Sequence, residues 1–281
     1  MRHPSAEGAR VATVAACVVS HDDAHRLPAC LDALLAQQLG RRLRVGVVCN
    51  LRGDGSAALV RERFPTVGLI EQPTPRGFGE NQNAGFAAWP GDFCLVLNPD
   101  VVLEPGCVRA LLHLMDERPR CGLAAPALVF PDGTPQQSAR RFPEPLDTIA
   151  RRTPLRLLLR NGGGAAHYLD VPRSPRAIDW AIGACLLVRR VTWAELGGFD
   201  DGFRLYVEDI DLAWRAWEAG WEVWQTPAAR ASHEYQGAID RSFLTRRTVW
   251  HARGMARFVR KHPRVLRGGR PPVRALRGDA T

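Results

Sequence analysis

Phe93-Cys94-Leu95-Val96-Leu97-Asn98-Pro99-Asp100 is the stretch whose reading decides the fold. Its apolar residues run without a polar interruption, the pattern of a strand covered on both faces. The run stops at Asn98-Pro99-Asp100. Pro99 has no backbone N–H and pushes Asn98 toward an extended or turn conformation, which delivers Asp100 at the carboxyl end of a central strand. In open α/β sheets that edge is where ligands bind. A carboxylate there either meets a cation or caps a helix, and the helix starting near Glu104-Pro105 leaves both open.

Outward from this strand the chain alternates. Val11–Val19 has the pattern of a buried strand, and Ala24–Leu39 places Leu27, Cys30/Leu31 and Leu34/Leu35 at helical spacing. Strands are predicted at Val45–Cys49 and Val67–Ile70, and helices at Ala57–Phe64, Gly79–Ala88 and Cys107–Met115. This succession predicts an α/β fold with a Rossmann-like, mostly parallel sheet. After Gly122 the rhythm changes. Leu128–Arg140, centred on Pro131-Asp132-Gly133, predicts a hairpin, and 143–177, with its prolines and Gly162-Gly163-Gly164, a long loop or insertion. Regular structure resumes at Ile182–Val188, so the second half is mixed. One domain is expected over 1–240, with 1–10 flexible, followed by a basic helix and tail over 241–281.

Among 281 residues, 46% are hydrophobic, ample for a buried core. The seven cysteines (17, 30, 49, 94, 107, 121, 185) are scattered with no C-x-x-C, which points to small core residues in a reducing compartment. Val14-Ala15-Ala16-Cys17 mimics a lipoprotein cleavage box, but its apolar run is too short for a signal segment. No stretch has the length of a membrane span, so a cytoplasmic chain is expected. Charge is unevenly placed. Residues 241–281 hold 12 of the 38 basic residues and one of the 29 acidic ones, +11 there against −2 elsewhere. Lys261 is the only lysine. The arginine bias is compositional, and without an aromatic-basic motif no nucleic-acid partner is expected.

Three polar loops follow predicted strands: Ser20-His21-Asp22-Asp23, Asn50 to Ser56 with Asp54, and Pro75-Arg76-Gly77-Phe78-Gly79 leading to Asn83 and Gly85. None carries G-x-G-x-x-G or a P-loop lysine, which argues against dinucleotide and ATP-hydrolysing sites. Each could simply cap a helix, but three beside Asp100 favour a nucleotide site. A second constellation runs from Phe203 to Arg215. On a helix, Leu205, Asp209, Leu212 and Ala216 share one face, and Glu208, Asp211, Arg215 and Glu218 another. Asp211 and Arg215 form an i,i+4 structural pair. Asp209 is a carboxylate on the apolar face of the first turn, where the helix dipole favours its charged form and hydroxyl-proton abstraction is served.

Seven features in fixed order resemble the inverting family 2 glycosyltransferases of the GT-A fold, in the bacterial rhamnosyltransferase-like branch. They are Val18-Val19-Ser20-His21-Asp22, Gly77-Phe78 with Asn83 and Gly85, Leu97-Asn98-Pro99-Asp100, and Asp179-Trp180 with Gly183-Ala184-Cys185-Leu186. Gly197-Gly198-Phe199-Asp200 with Phe203, Glu208-Asp209 with Asp211-Leu212 and Arg215, and His233 complete the series, which reaches about residue 262. The resemblance implies transfer of a sugar from a nucleotide-diphosphate donor, dTDP-L-rhamnose by preference, to a hydroxyl of a polyprenyl-linked or cell-envelope glycan. It places Asn98-Pro99-Asp100 at the family's Asp-x-Asp position, where Mg2+ or Mn2+ bridges enzyme and diphosphate, and His233 at a further ligand position. It makes Asp209 the base of a single inverting displacement. The donor falls to Ser20, His21, Asp22, Asn50, Asp54, Phe78, Asn83, Asn98 and Asp100, and the acceptor to Trp180, Gly183, Ala184 and Glu208.

Two positions depart from the family pattern. Cys49 stands where relatives usually carry Asp beside the nucleobase, and Arg76 where Asn is common; Asp22, Asn50 or Asp54 are the candidate replacements at the base. Cys49 and Asn98 also motivate a non-catalytic binding protein, against which Asp100, Asp209 and Trp180 stand. A sugar nucleotidyltransferase would need a triphosphate loop and a lysine near the N terminus, and neither is present. At the other end, Arg241–His262 has helical spacing, with Phe243, Trp250, Gly254 and Phe258 along one line and Leu244, His251, Met255 and Val259 beside it. Arg264–Arg277 is expected to be a disordered basic end. Either the helix packs on the body with a solvated tail, or its basic rim and tail also touch an anionic inner membrane surface.

Overall fold

A computed structural model describes residues 12–143, 173–234, 246–268 and 270–271. The expected flexible start, nearly all of the expected insertion and the end beyond 271 lie outside these. In the first half, β1 (Thr13–Ser20), α1 (Leu27–Leu35), β2 (Arg42–Cys49), α2 (Ser56–Arg63), β3 (Gly68–Glu71), α3 (Phe78–Ala88) and β4 (Phe93–Leu97) alternate as predicted. Then come β5 (Val101–Leu103), α4 (Cys107–Glu117), β6 (Cys121–Val129), β7 (Pro135–Gln136), β8 (Ala139–Arg140), β9 (Arg176–Ala177) and β10 (Trp180–Ala181). The chain continues through β11 (Cys185–Arg189), α5 (Arg190–Leu196), α6 (Glu208–Glu218), β12 (Glu222–His233), α7 (Arg246–Lys261) and a 3-10 turn, Pro263–Arg267.

Among the described residues, ten strands form one sheet, in the order β3-β2-β1-β4-β11-β6-β12-β5, with β7 on β6 and β9 on β12. The first four run parallel. β11 enters antiparallel between β4 and β6, which gives the mixed second half. The uninterrupted apolar runs are explained by two cores. Val14, Ala16 and Val18 of β1 and Leu95 and Leu97 of β4 meet α1, α2 and α4, while Ala15, Cys17, Val19, Cys94 and Val96 meet α3, α5, α6 and α7. Gly85 of α3 allows the closest approach to the sheet, because a Cβ there would collide with Cys17 Sγ. All seven cysteines are free and buried.

Several sequence expectations are corrected. α1 begins at Leu27 rather than Ala24 because Pro28 fits only the first helical turn. The hairpin forms between β6 and β7 around Gly133 (φ 82°), but β8 leaves it to pair with β10. Leu205 lies outside α6, and the face of α6 read as polar is not solvated: Asp211 is 0% exposed because α7 covers it. The basic end is ordered further than expected. Val265 is buried, and Arg270 pairs with Asp179 (2.6 Å) and stacks over Trp217 at 4.3 Å. No described helix is long and apolar enough to cross a membrane.

Candidate active site

The carboxyl ends of β1, β2 and β4 deliver Ser20, Asn50 and Asn98 to one edge of the sheet. Ser20 and Ser56 share a 2.8 Å hydroxyl bond and are both fully buried, which ties the end of β1 to the start of α2. Asp54 staples the first two loops: Oδ2 accepts from Asp22 N and Oδ1 from Ser56 N, both at 2.9 Å. Asp22 has φ 65°, a left-handed conformation that Asp tolerates better than most residues. Asn50 then clamps the third loop, with Nδ2 donating to Arg76 O (3.0 Å) and Oδ1 accepting from Arg76 N (2.7 Å). His21 Nδ1 lies 3.2 Å from the same amide. The three loops form one platform, on which His21 and Asp22 are exposed and Phe78 is half-buried.

Asp100 sits just past β4. Its Oδ1 is buried without a hydrogen-bond partner, and His233 Nε2, at the end of β12, is 3.5 Å away. Burial, reinforced by the charges of Asp23 and Glu234, pushes the Asp100 carboxyl up to about 6. Burial pushes the His233 imidazole down to about 4, so the ring is neutral near pH 7. Its Nδ1 lies 2.8 Å from Gln136 Oε1; the Nδ1–H tautomer would donate to that oxygen and leave Nε2 as the electron-pair donor on the Asp100 side. Two electron-pair donors facing each other in a buried place suit a cation. No group of three acidic, His or Cys side chains that could hold a metal exists among the described residues, so Asp100 and His233 by themselves would fill only part of a cation's coordination shell.

Asp209 opens α6 on the same edge. Its Oδ2 accepts from Gly183 N and its Oδ1 from Ile210 N, each at 2.9 Å. Through the next residue, Ala184, whose O accepts from Asn98 N (2.8 Å), this segment links Asp209 to the Asn98-Pro99-Asp100 turn. Glu208 beside it is 5% exposed, with Oε2 lacking a partner. Burial first, then the Asp209 charge, pushes Glu208 up to about 8. Burial also raises Asp209, opposed by its two backbone N–H bonds and the Arg140 charge. Those bonds favour the anion at Asp209, so the proton the pair retains rests on Glu208. The preceding Tyr206 and Val207 have φ 68° and 74°, a strained start. Gly77 permits this packing: a Cβ there would lie 2.8 Å from Phe203 O, and Phe78 N donates to Arg204 O at 3.2 Å. The platform of loops and the loop before Asp209 are thus in direct contact.

The model of glycosyl transferase family 2 matches residues 15–170, more than half of the chain, and thus spans the platform and Asp100. The chain belongs to glycosyl transferase family 2. Its curated relatives place it in the rhamnosyltransferase branch. The N-acetylglucosaminyl-diphospho-decaprenol L-rhamnosyltransferase of Mycobacterium tuberculosis is 32% identical over 226 residues, 72% of this chain and 69% of the relative. Rhamnosyltransferase WbbL of Escherichia coli is 27% identical over 196 residues, 65% of this chain and 70% of the relative. Among solved structures, GalNAc-T7 with UDP, GalNAc and Mn2+ has a TM-score of 0.65 at 12% identity, covering 90% of this chain and 48% of that one. The mannosyltransferase PcManGT of Pyrobaculum calidifontis, with GDP-Man and Mn2+, has 0.58 at 17% identity, covering 92% and 65%. These likenesses bear out the expected GT-A fold.

Within this family 2 glycosyltransferase, several residues expected at the donor and acceptor also bond or pack within the protein itself. Ser20 is fully buried on Ser56. Asn83 uses both amide hydrogens on Phe199 O (2.8 Å) and Asp201 Oδ1 (2.7 Å), while its Oδ1 accepts from Phe199 N (3.0 Å). Trp180 is buried, with Nε1 bonded to Arg141 O (2.9 Å), and Ala184 is buried as well. Cys49 faces the core, its thiol pushed up to about 12 chiefly by burial. Of its candidate replacements, Asn50 and Asp54 are committed to backbone groups, and Asp22 is the exposed one. Sequence reasoning missed the ions around Asp100: Arg26 bridges Asp23 (2.6 Å) and Glu234 (3.0 Å). It also missed Arg140, whose guanidinium lies 5.2 Å over the Trp180 ring. Nothing in the local pattern of either arginine marks it out.

Proposed function

We propose that this protein transfers L-rhamnose from dTDP-L-rhamnose to a hydroxyl of a polyprenyl-diphosphate-linked N-acetylglucosamine, inverting the anomeric centre. The observation that carries this is Asp209, a partly exposed carboxylate oriented by two backbone N–H groups and joined through Gly183-Ala184 to the Asn98-Pro99-Asp100 turn. The names of the curated relatives supply the sugar and the lipid-linked acceptor.

His21, Asp22 and Phe78 line the platform that receives the nucleotide. Asp100 and His233 would hold a divalent cation, Mg2+ or Mn2+, together with the donor diphosphate. When bound, that cation supplies positive charge against the departing diphosphate. Asp209 takes the proton of the acceptor hydroxyl as that oxygen bonds to the anomeric carbon, whose bond to the diphosphate oxygen breaks. The nucleoside diphosphate leaves with the electron pair. Glu208, still protonated, keeps a second negative charge away from Asp209 during this step. Gly183 N holds Asp209 in place throughout.

For the acceptor, we place the protein at the inner membrane face. Val249 (50% exposed) and Leu266 (56%) stand among the exposed Arg246, Arg253, Arg260, Arg264 and Arg267. Near an anionic surface each basic residue contributes about 1 kcal/mol, decaying over about 8 Å at physiological salt.

The test is release of nucleoside diphosphate from dTDP-L-rhamnose, UDP-N-acetylglucosamine and GDP-mannose, with and without the polyprenyl-linked acceptor. Acceptor-dependent release from dTDP-L-rhamnose alone supports the reading. Turnover of another donor, or of none, rejects it.

A further inference from the structure

α6 starts from a conformation it would not hold alone. Tyr206 and Val207, with φ 68° and 74°, occupy the left-handed region, where a β-branched residue is a genuine outlier. Glu208 and Asp209 follow at once. Strain of this kind persists only where the surroundings over-determine it.

α7 supplies those surroundings on both sides of Asp209. Before it, Gly254 lies against the strained pair: a Cβ there would stand 3.1 Å from Val207 Cγ2 and 3.3 Å from Tyr206 O. After it, Phe258 is fully buried, edge-on to Trp214 of α6 at 5.7 Å. At the end of α7, Lys261 Nζ donates to Asp200 Oδ2 (2.7 Å) and lies 2.8 and 3.1 Å from the two oxygens of Asp211. His262 Nε2 is 2.8 Å from Asp211 Oδ1, and Arg215 Nε donates to Asp211 Oδ2 at 2.7 Å. Burial alone would raise the Asp211 carboxyl; the His262 bond, the Arg215 charge and Lys261 outweigh it and hold it below the usual range. Arg215 also donates to Leu196 O (2.7 Å) and Gly198 O (2.9 Å), so α5, α6 and α7 meet at one anion two residues beyond Asp209.

Lys261 is the chain's only lysine, among 38 basic residues. The chemistry of the place explains it. An ammonium directs three donors from one compact atom and can bridge two carboxylates on different elements, whereas a guanidinium presents a wide planar fork.

We infer that α7 is a positioning element of the active site: Lys261 and His262 through Asp211, and Gly254 through Val207, set where Asp209 stands. The inference rests on Asp209 being the base. It extends the catalytic unit to residue 262, past the boundary near 240 expected from the sequence.

The test uses the full chain with Gly254→Ala, Lys261→Arg and, alongside, Asp209→Asn. Turnover, KM for donor and acceptor, nucleoside-diphosphate affinity and thermal midpoint are measured for each. Alanine favours a helix over glycine, so Gly254→Ala should fold at least as firmly outside the contact itself. Both α7 variants should lose roughly 3- to 10-fold in kcat, since the Cβ of Gly254→Ala asks Val207 and Tyr206 to give by only tenths of an ångström, with nucleotide affinity within about two-fold of wild type. Wild-type kcat in both, or losses that track a fall in folded protein, overturns the role of α7. Near-normal turnover in Asp209→Asn instead overturns the base assignment and with it the ground for this inference, whatever the α7 variants do.

Discussion

Replacing Glu208 by Gln tests the charge arrangement at the start of α6. Glu208 is 5% exposed, its Oε2 has no hydrogen-bond partner, and burial together with the Asp209 charge raises it from 4.5 to about 8. The folded protein therefore keeps a proton that the unfolded chain releases. Its stability falls as pH rises through the window from 4.5 to about 8, and the loss is complete above it. Each pKa unit carries about 1.4 kcal/mol, so the full cost is at most about 5 kcal/mol. Gln cannot ionise and escapes it, but its amide N–H groups need acceptors, which returns about 1–3 kcal/mol. We expect Glu208→Gln to exceed wild type by about 2–4 kcal/mol at pH 8.5, with the advantage shrinking steadily toward pH 4.5. Urea denaturation of both proteins at four pH values reads this directly. A stability difference that does not change with pH would mean that Glu208 is ionised in the folded protein, and the account of the pair would fall.

Three further outcomes are expected. Asp100→Ala should abolish the metal dependence of donor binding; calorimetry giving the same Mn2+ enhancement in the variant would remove Asp100 from the metal site. Asn83→Ala should cost about 1–2 kcal/mol in stability, since two part-buried bonds to Phe199 and an exposed one to Asp201 are lost, yet leave nucleotide affinity within about two-fold of wild type. A selective loss of nucleotide affinity would restore Asn83 as a donor contact. Arg253→Glu with Arg260→Glu should release the protein from anionic vesicles at low salt while transfer to a short-chain soluble acceptor persists, as co-sedimentation and turnover will show; unchanged sedimentation excludes this face.

The parallel half of the sheet was legible because its signals are local. A strand covered on both faces writes an unbroken apolar run, as Phe93–Leu97 does, and Pro99 marks its end. The antiparallel insertion of β11 between β4 and β6 was not legible, since strand order depends on partners far apart in sequence. At the site, residue types pointed to Asp100 and Asp209, but not to which neighbours support them. Ser20 and Asn83 carry motif positions yet bond to other groups of the protein, Ser56 for the one and Phe199 and Asp201 for the other. Asp211 illustrates the limit best. Helical periodicity put it on a polar face, and only the return of α7, fifty residues later, turns that face inward. The single lysine was the one visible trace of that contact.

The role of Asp209 as the base is tested most directly by Asp209→Asn, assayed for turnover with dTDP-L-rhamnose and the polyprenyl-linked acceptor and for nucleoside-diphosphate affinity by calorimetry. Asn keeps the size and can still accept a backbone N–H bond, but cannot take a proton. A turnover loss of roughly 10²–10⁴ is expected, with nucleotide affinity within a few-fold of wild type. Turnover near the wild-type rate, with affinity unchanged, would contradict it.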